Sequence, residues 1–305
     1  MLRPIKHIIW LCIVGFSIWK VSAQNEVYQQ NIHLAYKPLQ KGIFVKQSIL
    51  IDRQALLQRD SLVFLNWANA YKNKHTDLAK SFIENYDLNF HFANEKYRGK
   101  VTIKNVWVNQ NKAVIKALQP DVYSLKLPVS DLQSDTLQIS FDYLIKLPHA
   151  KFTGYGIDES GNILLKNFFF QPVFSTHQIY TDKNIDDYPS KPVKYHFSVS
   201  NFPQNKYFLS NLRTYGSLVA GIVKTPLLLW TDKPYEQLQL NGQTIFWPLN
   251  TNISATDKTR ILSQIEQLWL KSFGSLPSEK IVITTADFKH HKVYGLDLLP
   301  KLLRP

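Results

Sequence analysis

The sequence predicts a mainly β protein, an antiparallel two-sheet β-domain followed by the strand-helix-strand opening of an α/β domain. Three observations predict it. Leu137, Ile139, Phe141, Tyr143, Ile145 and Leu147 alternate without a miss, as do Val193, Tyr195, Phe197 and Val199. That period of two puts one face of a strand on a core. Pro120, Pro128, Pro148, Pro172 and Pro189 fall at the ends of such runs, where a missing N–H breaks no ladder. After Trp247 the apolar period lengthens to 3.6, the helical value.

The elements follow in chain order. Arg3 and Lys6 precede an apolar run from Ile8 to Trp19, and Val21-Ser22-Ala23 forms a small-residue cleavage site. Residues 1–23 therefore read as a secretory signal peptide, which implies export to the periplasm or beyond. The apolar run is too short to span a bilayer core of about 30 Å comfortably. Left uncleaved, it would tether the chain to the membrane. Cys12, the only cysteine, lies in this segment, so the mature chain has no disulfide, thiolate nucleophile or cysteine metal ligand. The 305 residues suggest about two domains, and 45% hydrophobic with 13% aromatic content is ample for a core. Net charge is +13, yet Lys100, Lys104, Lys112, Lys116, Lys126 and Lys146 are spread singly along alternating strands. They read as a solvated face rather than a phosphate track, so no specific nucleic-acid partner is expected.

Short strands carry Ile43, Val45, Ile49 and Ile51, and Ser61 to Leu65 continues into an Asn-rich turn before Tyr71. Thr76 caps a short helix whose Leu78, Phe82 and Tyr86 share one face. His75 and His91 flank that helix without an acid or a second histidine at i+3 or i+4, so both read as structural rather than metal-binding. Val101 and Ile103 begin another strand. Phe152-Thr153-Gly154-Tyr155-Gly156, the turn Ser160-Gly161-Asn162, and Leu164, Leu165, Phe168, Phe169 and Phe170 form a hairpin entering an aromatic core. Asp182, Asp186 and Asp187, just ahead of Pro189, are turn and cap residues rather than paired catalytic acids.

Leu218 to Ile222 and Leu227 to Trp230 are further strands, and the pattern changes near Pro234. Leu238 and Leu240, the turn Asn241-Gly242, then Ile245 and Trp247 make a hairpin. Ser254 and Asp257 resemble a capping box for a helix over 256–273, with Leu262, Ile265, Trp269 and Phe273 on one apolar face and Gly274 at its end. Ile281 to Ile283 follow as a buried strand. Such a small sheet with one helix leaves apolar surface bare, so the chain reads as cut off mid-domain. The expected division is residues 1–23, 24–235 and 236–305.

The segments Phe64-Leu65-Asn66-Trp67-Ala68-Asn69-Ala70-Tyr71 with Thr76-Asp77-Leu78-Ala79-Lys80, Lys151-Phe152-Thr153-Gly154-Tyr155-Gly156, and Asp182-Lys183-Asn184-Ile185-Asp186-Asp187 carry a family likeness. They resemble exported bacterial members of the aminopeptidase N-like zinc metallopeptidases, the gluzincins. The resemblance implies a saddle-shaped β-domain ahead of a thermolysin-like catalytic domain acting on peptides with zinc. It places Gln171 at a family glutamine lining the substrate's first pocket. Gly295 and Asp297 fall in the family's Gly-x-Met-Glu-Asn exopeptidase loop, with Leu296 and Asp297 standing at its Met and Glu positions. The family's chemistry needs His-Glu-x-x-His on a helix, and the sequence contains none. His290-His291 are adjacent, a spacing that suits neither one helical face nor one strand face. No catalytic residue, no metal ligand and no cofactor is therefore assigned to this chain. Two readings stand: the noncatalytic amino-terminal part of a metallopeptidase, inactive alone, or a stand-alone exported β-rich binding module.

Overall fold

A computed structural model describes residues 28–56, 60–127, 135–174, 192–249, 253–274 and 280–284. The first strands are β1 (Tyr28–Lys37), β2 (Gly42–Asp52), β3 (Ser61–Leu65), β4 (Lys100–Val108), β5 (Asn111–Lys112), β6 (Ile115–Ala117), β7 (Val122–Lys126) and β8 (Thr136–Lys146). Then come β9 (Gly156–Ile157), β10 (Ile163–Lys166), β11 (Gln171–Val173), β12 (Val193–Ser200), β13 (Tyr207–Ser210), β14 (Arg213–Tyr215), β15 (Leu218–Val223) and β16 (Leu227–Thr231). The last are β17 (Tyr235–Leu240), β18 (Gln243–Pro248) and β19 (Lys280–Val282), with helices α1 (Asp77–Glu84) and α2 (Ala255–Phe273).

An eight-stranded sheet runs in the order β14-β15-β12-β1-β2-β8-β4-β5. Two four-stranded sheets, β13-β16-β10-β9 and β11-β3-β7-β6, contribute to the same core, and β17-β18-β19 form a separate small sheet. The protein is mainly β, with several antiparallel sheets and a short α/β unit. One pair in the large sheet is parallel, β1 with β12, from Gln29 opposite Lys194 to Ala35 opposite Ser200.

The alternation in β8 and β12 appears as expected: Leu137 to Ile145 at odd positions are buried, and so are Val193, Tyr195 and Phe197. In β4 the register shifts between Ile103 and Asn105. That irregularity moves the inward face from Val101 and Ile103 to Val106 and Val108, the usual effect of an added residue on a strand.

The core is centred on Phe170. Its ring stacks on Phe141 at 4.4 Å and meets the edges of Tyr143 at 5.1 Å and Tyr123 at 5.2 Å. Its backbone is held by buried Gln47 of β2. The Gln47 carboxamide donates to the Phe170 carbonyl at 2.7 Å and to Gln30 Oε1 at 2.7 Å. It accepts from the Phe170 N–H at 3.0 Å and from the Tyr143 hydroxyl at 2.9 Å. The side chain thus acts as a strand partner for a residue that has no strand beside it, meeting the demand that buried polar groups be bonded.

Helix α1 begins where expected, with Thr76 Oγ1 accepting from the Ala79 N–H at 3.2 Å. Leu78 is buried and Phe82 stacks on Phe90 at 5.5 Å. Tyr86 does not join them. The helix stops at Glu84, the Asp87 N–H turns back to the Phe82 carbonyl, and Tyr86 sits at a φ of 58° with its ring in solvent.

In the small sheet, Asn241 (φ 45°) and Gly242 (φ 83°) form the two-residue turn between β17 and β18, the type I′ geometry that Asn-Gly favours. Ser254 Oγ accepts from the Asp257 N–H at 3.1 Å and donates to Asp257 Oδ2 at 2.7 Å, closing the start of α2. Gly274, at a φ of 72°, ends the helix with its N–H on the Leu270 carbonyl. β18 and β19 are parallel, with Ile245 opposite Ile281, so β18-α2-β19 is a βαβ unit. The expected apolar stripe is corrected in part. Leu262 is buried against Ile245 and Trp247, whereas Ile265 and Trp269 stay exposed. A sheet of three strands is too narrow to cover the whole helix face, and the polar edges are fixed instead. Lys258 Nζ donates to Glu236 at 2.6 Å, and Asn241 Nδ2 donates to Glu266 at 2.6 Å.

Candidate functional site

Of the three residues expected to contact substrate, Gln171 alone is described; Gly295 and Asp297 lie outside the described residues, as do Asp182, Asp186, Asp187, His290 and His291. Gln171 sits in β11 opposite Leu65 of β3, buried, with its Nε2 donating to Asn167 Oδ1 at 3.1 Å. The side chain is held in the interior, immediately after the clasped Phe170. Of the two flanking histidines, His91 has a buried Nδ1 with no partner, and its carbonyl accepts from Arg98 at 3.0 Å. Among the described residues no three His, Cys, Asp or Glu side chains gather to hold a metal ion. The described residues therefore do not fit a zinc centre.

A buried polar hub went unseen in the sequence. Asn69, in the turn after β3, donates through Nδ2 to the Pro120 carbonyl and to the Tyr123 hydroxyl at 2.7 Å, and accepts at Oδ1 from the Val101 N–H at 2.8 Å. It ties β4 and the β7 approach to one loop. The Asn-rich run was the available signal, but its long-range partners were not. Beside it, burial pushes the Asp121 carboxyl up to about 6, with Asp77 adding to the rise. An acid raised above its ordinary 3.8 holds its proton in the native state between about pH 4 and 6. The corresponding stability is complete below pH 4 and lost as pH climbs through 6. Asp121→Asn is accordingly expected to stabilise the protein by up to roughly 3 kcal/mol at pH 7.5 and to change nothing at pH 3.5. Urea unfolding at the two pH values checks it; equal effects at both would refute the assignment.

The other notable surface is the seam where α2 and the small sheet meet the β-sheets. Val282 packs on a cluster of Leu164, Leu227 and Leu229, and Lys280 Nζ donates to the Leu212 carbonyl at 3.1 Å. Between this cluster and the one around Leu262 lies a cleft of about 390 Å³, open to solvent on one side and lined by Leu240, Ile245, Ile265, Trp269 and Ile281 with Glu266 and Lys280. Outside it, Leu268 and Leu270 of α2 are also exposed. They lie two positions apart, about 160° around the helix, so they do not form one patch; Leu268 neighbours the exposed Ile265 and Trp269, and Leu270 does not.

No protein-family model matches the chain. No curated protein matches it either. Solved structures do. One is an M1 zinc metallopeptidase from Deinococcus radiodurans, 13% identical with a TM-score of 0.42, the match covering 84% of this chain and 55% of that one. Another is an aminopeptidase N family protein from Idiomarina loihiensis, 10% identical with a TM-score of 0.47, covering 83% of this chain and 38% of that one. A third is leukotriene A4 hydrolase from Saccharomyces cerevisiae, 9% identical with a TM-score of 0.47, covering 86% and 38%. The chain spans about half the length of the Deinococcus proteins it resembles and less of the others.

Proposed function

We propose that the chain is the amino-terminal, noncatalytic portion of an exported, periplasmic or secreted, zinc aminopeptidase-like protein that acts on peptides. The observation that carries this reading is the βαβ unit of β18, α2 and β19, set after the β-sheets, with Ile265 and Leu268 exposed on one side of its helix. A βαβ unit is the opening of a larger layered domain, and its open helix face is where the next layer packs. The metallopeptidase-like segments between Phe64 and Asp187 support the same reading from the sequence side. Peptide hydrolysis and zinc then belong to the layer that packs on α2.

The decisive test is the DNA downstream: a continuing frame that encodes His-Glu-x-x-His is expected, and a frame without it overturns the proposal. On the purified chain, elemental analysis should find no stoichiometric zinc, and amino-acid p-nitroanilides should not be hydrolysed; one zinc per chain with turnover would contradict the noncatalytic assignment. Among the described residues the small sheet and α2 share one minor apolar cluster with the β-sheets and keep a second to themselves, so limited proteolysis should cut after about Leu240 first and leave the segment up to about 235 intact.

A further inference from the structure

The topology gathers charge that the sequence scatters. In β4 and β8, Val101, Ile103 and Ile145 turn to the core, which leaves Lys100, Lys104 and Lys146 on the outward face of the eight-stranded sheet. Lys112 of β5 stands on that face too, opposite Trp107. The same parity adds Lys37 of β1, Lys46 of β2 and Lys194 of β12, each next to an inward residue: Tyr36, Val45 and Val193. Lys116 and Lys126 fall instead on the outward face of the sheet β11-β3-β7-β6.

Little on the larger sheet neutralises this charge. Among the described residues the acids at outward positions of its strands are Asp142, opposite Lys46, and Asp52. None of the outward lysines closes an ion pair with an acid. Lys146 Nζ reaches the Glu95 carbonyl at 2.9 Å, and Lys100 stands directly opposite Lys146, a like-charge pairing that costs stability. Interleaved with these cations, Leu50, Tyr215, Leu218 and Ile222 are exposed on the same face.

We propose that this outward sheet face docks on the surface of an anionic lipid bilayer, with its lysines against the lipid phosphates and Leu218 and Ile222 at the acyl margin. Charge complementarity selects an anionic partner, and the aliphatic side chains select a bilayer. Nucleic acid or an acidic glycan would satisfy the lysines but set polar groups against Leu218 and Ile222, whereas the headgroup boundary accepts both. The sheet is twisted, so not every lysine touches the plane. Charges within a Debye length of about 8–10 Å are attracted all the same. The docking needs no membrane-spanning segment and does not depend on the aminopeptidase reading.

The test is sedimentation of the whole chain with vesicles of phosphatidylcholine, alone or mixed with phosphatidylglycerol. Binding is expected to the mixed vesicles alone and should fall steeply with added salt. A lysine near an anionic surface contributes about fivefold, so Lys46→Glu combined with Lys194→Glu should weaken binding roughly 25-fold or more. Lys116→Glu combined with Lys126→Glu makes the same change in net charge on the other sheet and should weaken it far less. Leu218→Ser combined with Ile222→Ser should weaken it severalfold with no change in charge. Unchanged melting temperatures verify that the variants fold. No binding to the mixed vesicles overturns the proposal, and so do equal losses in the two lysine variants. Tighter binding to heparin or single-stranded DNA than to vesicles, indifferent to Leu218 and Ile222, would assign the face to a soluble polyanion and overturn it as well.

Discussion

Phe170→Ala is expected to destabilise the protein by about 4 kcal/mol, within the range for truncating a fully buried phenylalanine. The ring is central: stacked on Phe141 and edged by Tyr143 and Tyr123, with Phe64 at 6.4 Å. Those neighbours come from β3, β7 and β8, on two sheets, so none can move inward to close the gap without disturbing a ladder. The backbone of residue 170 is also fixed by Gln47, which prevents local collapse from the other side. A domain has only about 5–15 kcal/mol to lose, so the variant should unfold at a much lower urea midpoint with little change in slope. A loss under about 1 kcal/mol would mean that the surrounding rings repack and that the aromatic centre is not the keystone described. Gln47→Leu separates the ring from its clasp. It strands the Phe170 N–H and carbonyl, each worth about 1–3 kcal/mol when left unpaired.

What the residues disclosed beforehand was whatever a short window contains. Alternation in β8 and β12, the Asn241-Gly242 turn and the Ser254 cap are set by neighbours within a few positions, and each stands where the pattern put it. The parallel pairing of β1 with β12 joins residues more than 160 positions apart, and no local period records which strands meet. The shift at Lys104 was invisible because a single added residue still leaves two clean apolar pairs on either side. Gln47 shares the inward parity of Ile43, Val45, Ile49 and Ile51, but nothing local shows that it answers a backbone 123 residues away. Helix α2 was legible as a helix, but its apolar stripe said only that the face wants cover. Whether three strands suffice to cover it is a property of sheet width. The same limit applies to the candidate site: Gln171 was named by resemblance, and its burial against Asn167 follows from β11 pairing with β3, which the sequence does not announce.

Gly156→Ala should be as damaging as the loss of a core ring, about 4 kcal/mol, for a reason confined to backbone. Gly156 has a φ of 115°, and a Cβ there would lie 2.0 Å from the Pro148 carbonyl oxygen. No rotamer change relieves that contact, because the obstacle is main chain. The same carbonyl accepts the Ile157 N–H at 3.0 Å, and the Ala150 N–H donates to the Ile157 carbonyl at 2.9 Å, so separating the two segments breaks both bonds. It also displaces Tyr155, whose buried ring lies 5.3 Å from that of Tyr71. Strain of 1–3 kcal/mol for the backbone and a similar term for the overlap give the expected total. Gly161→Ala is the matched control. Its φ is 73° but nothing lies within 4 Å of the added carbon, so only the left-handed penalty of about 1–2 kcal/mol applies. Urea unfolding of both variants isolates the clash as their difference. Equal losses would mean that the segment from Pro148 to Ala150 yields freely, and that its contact with β9 does not hold the hairpin in place.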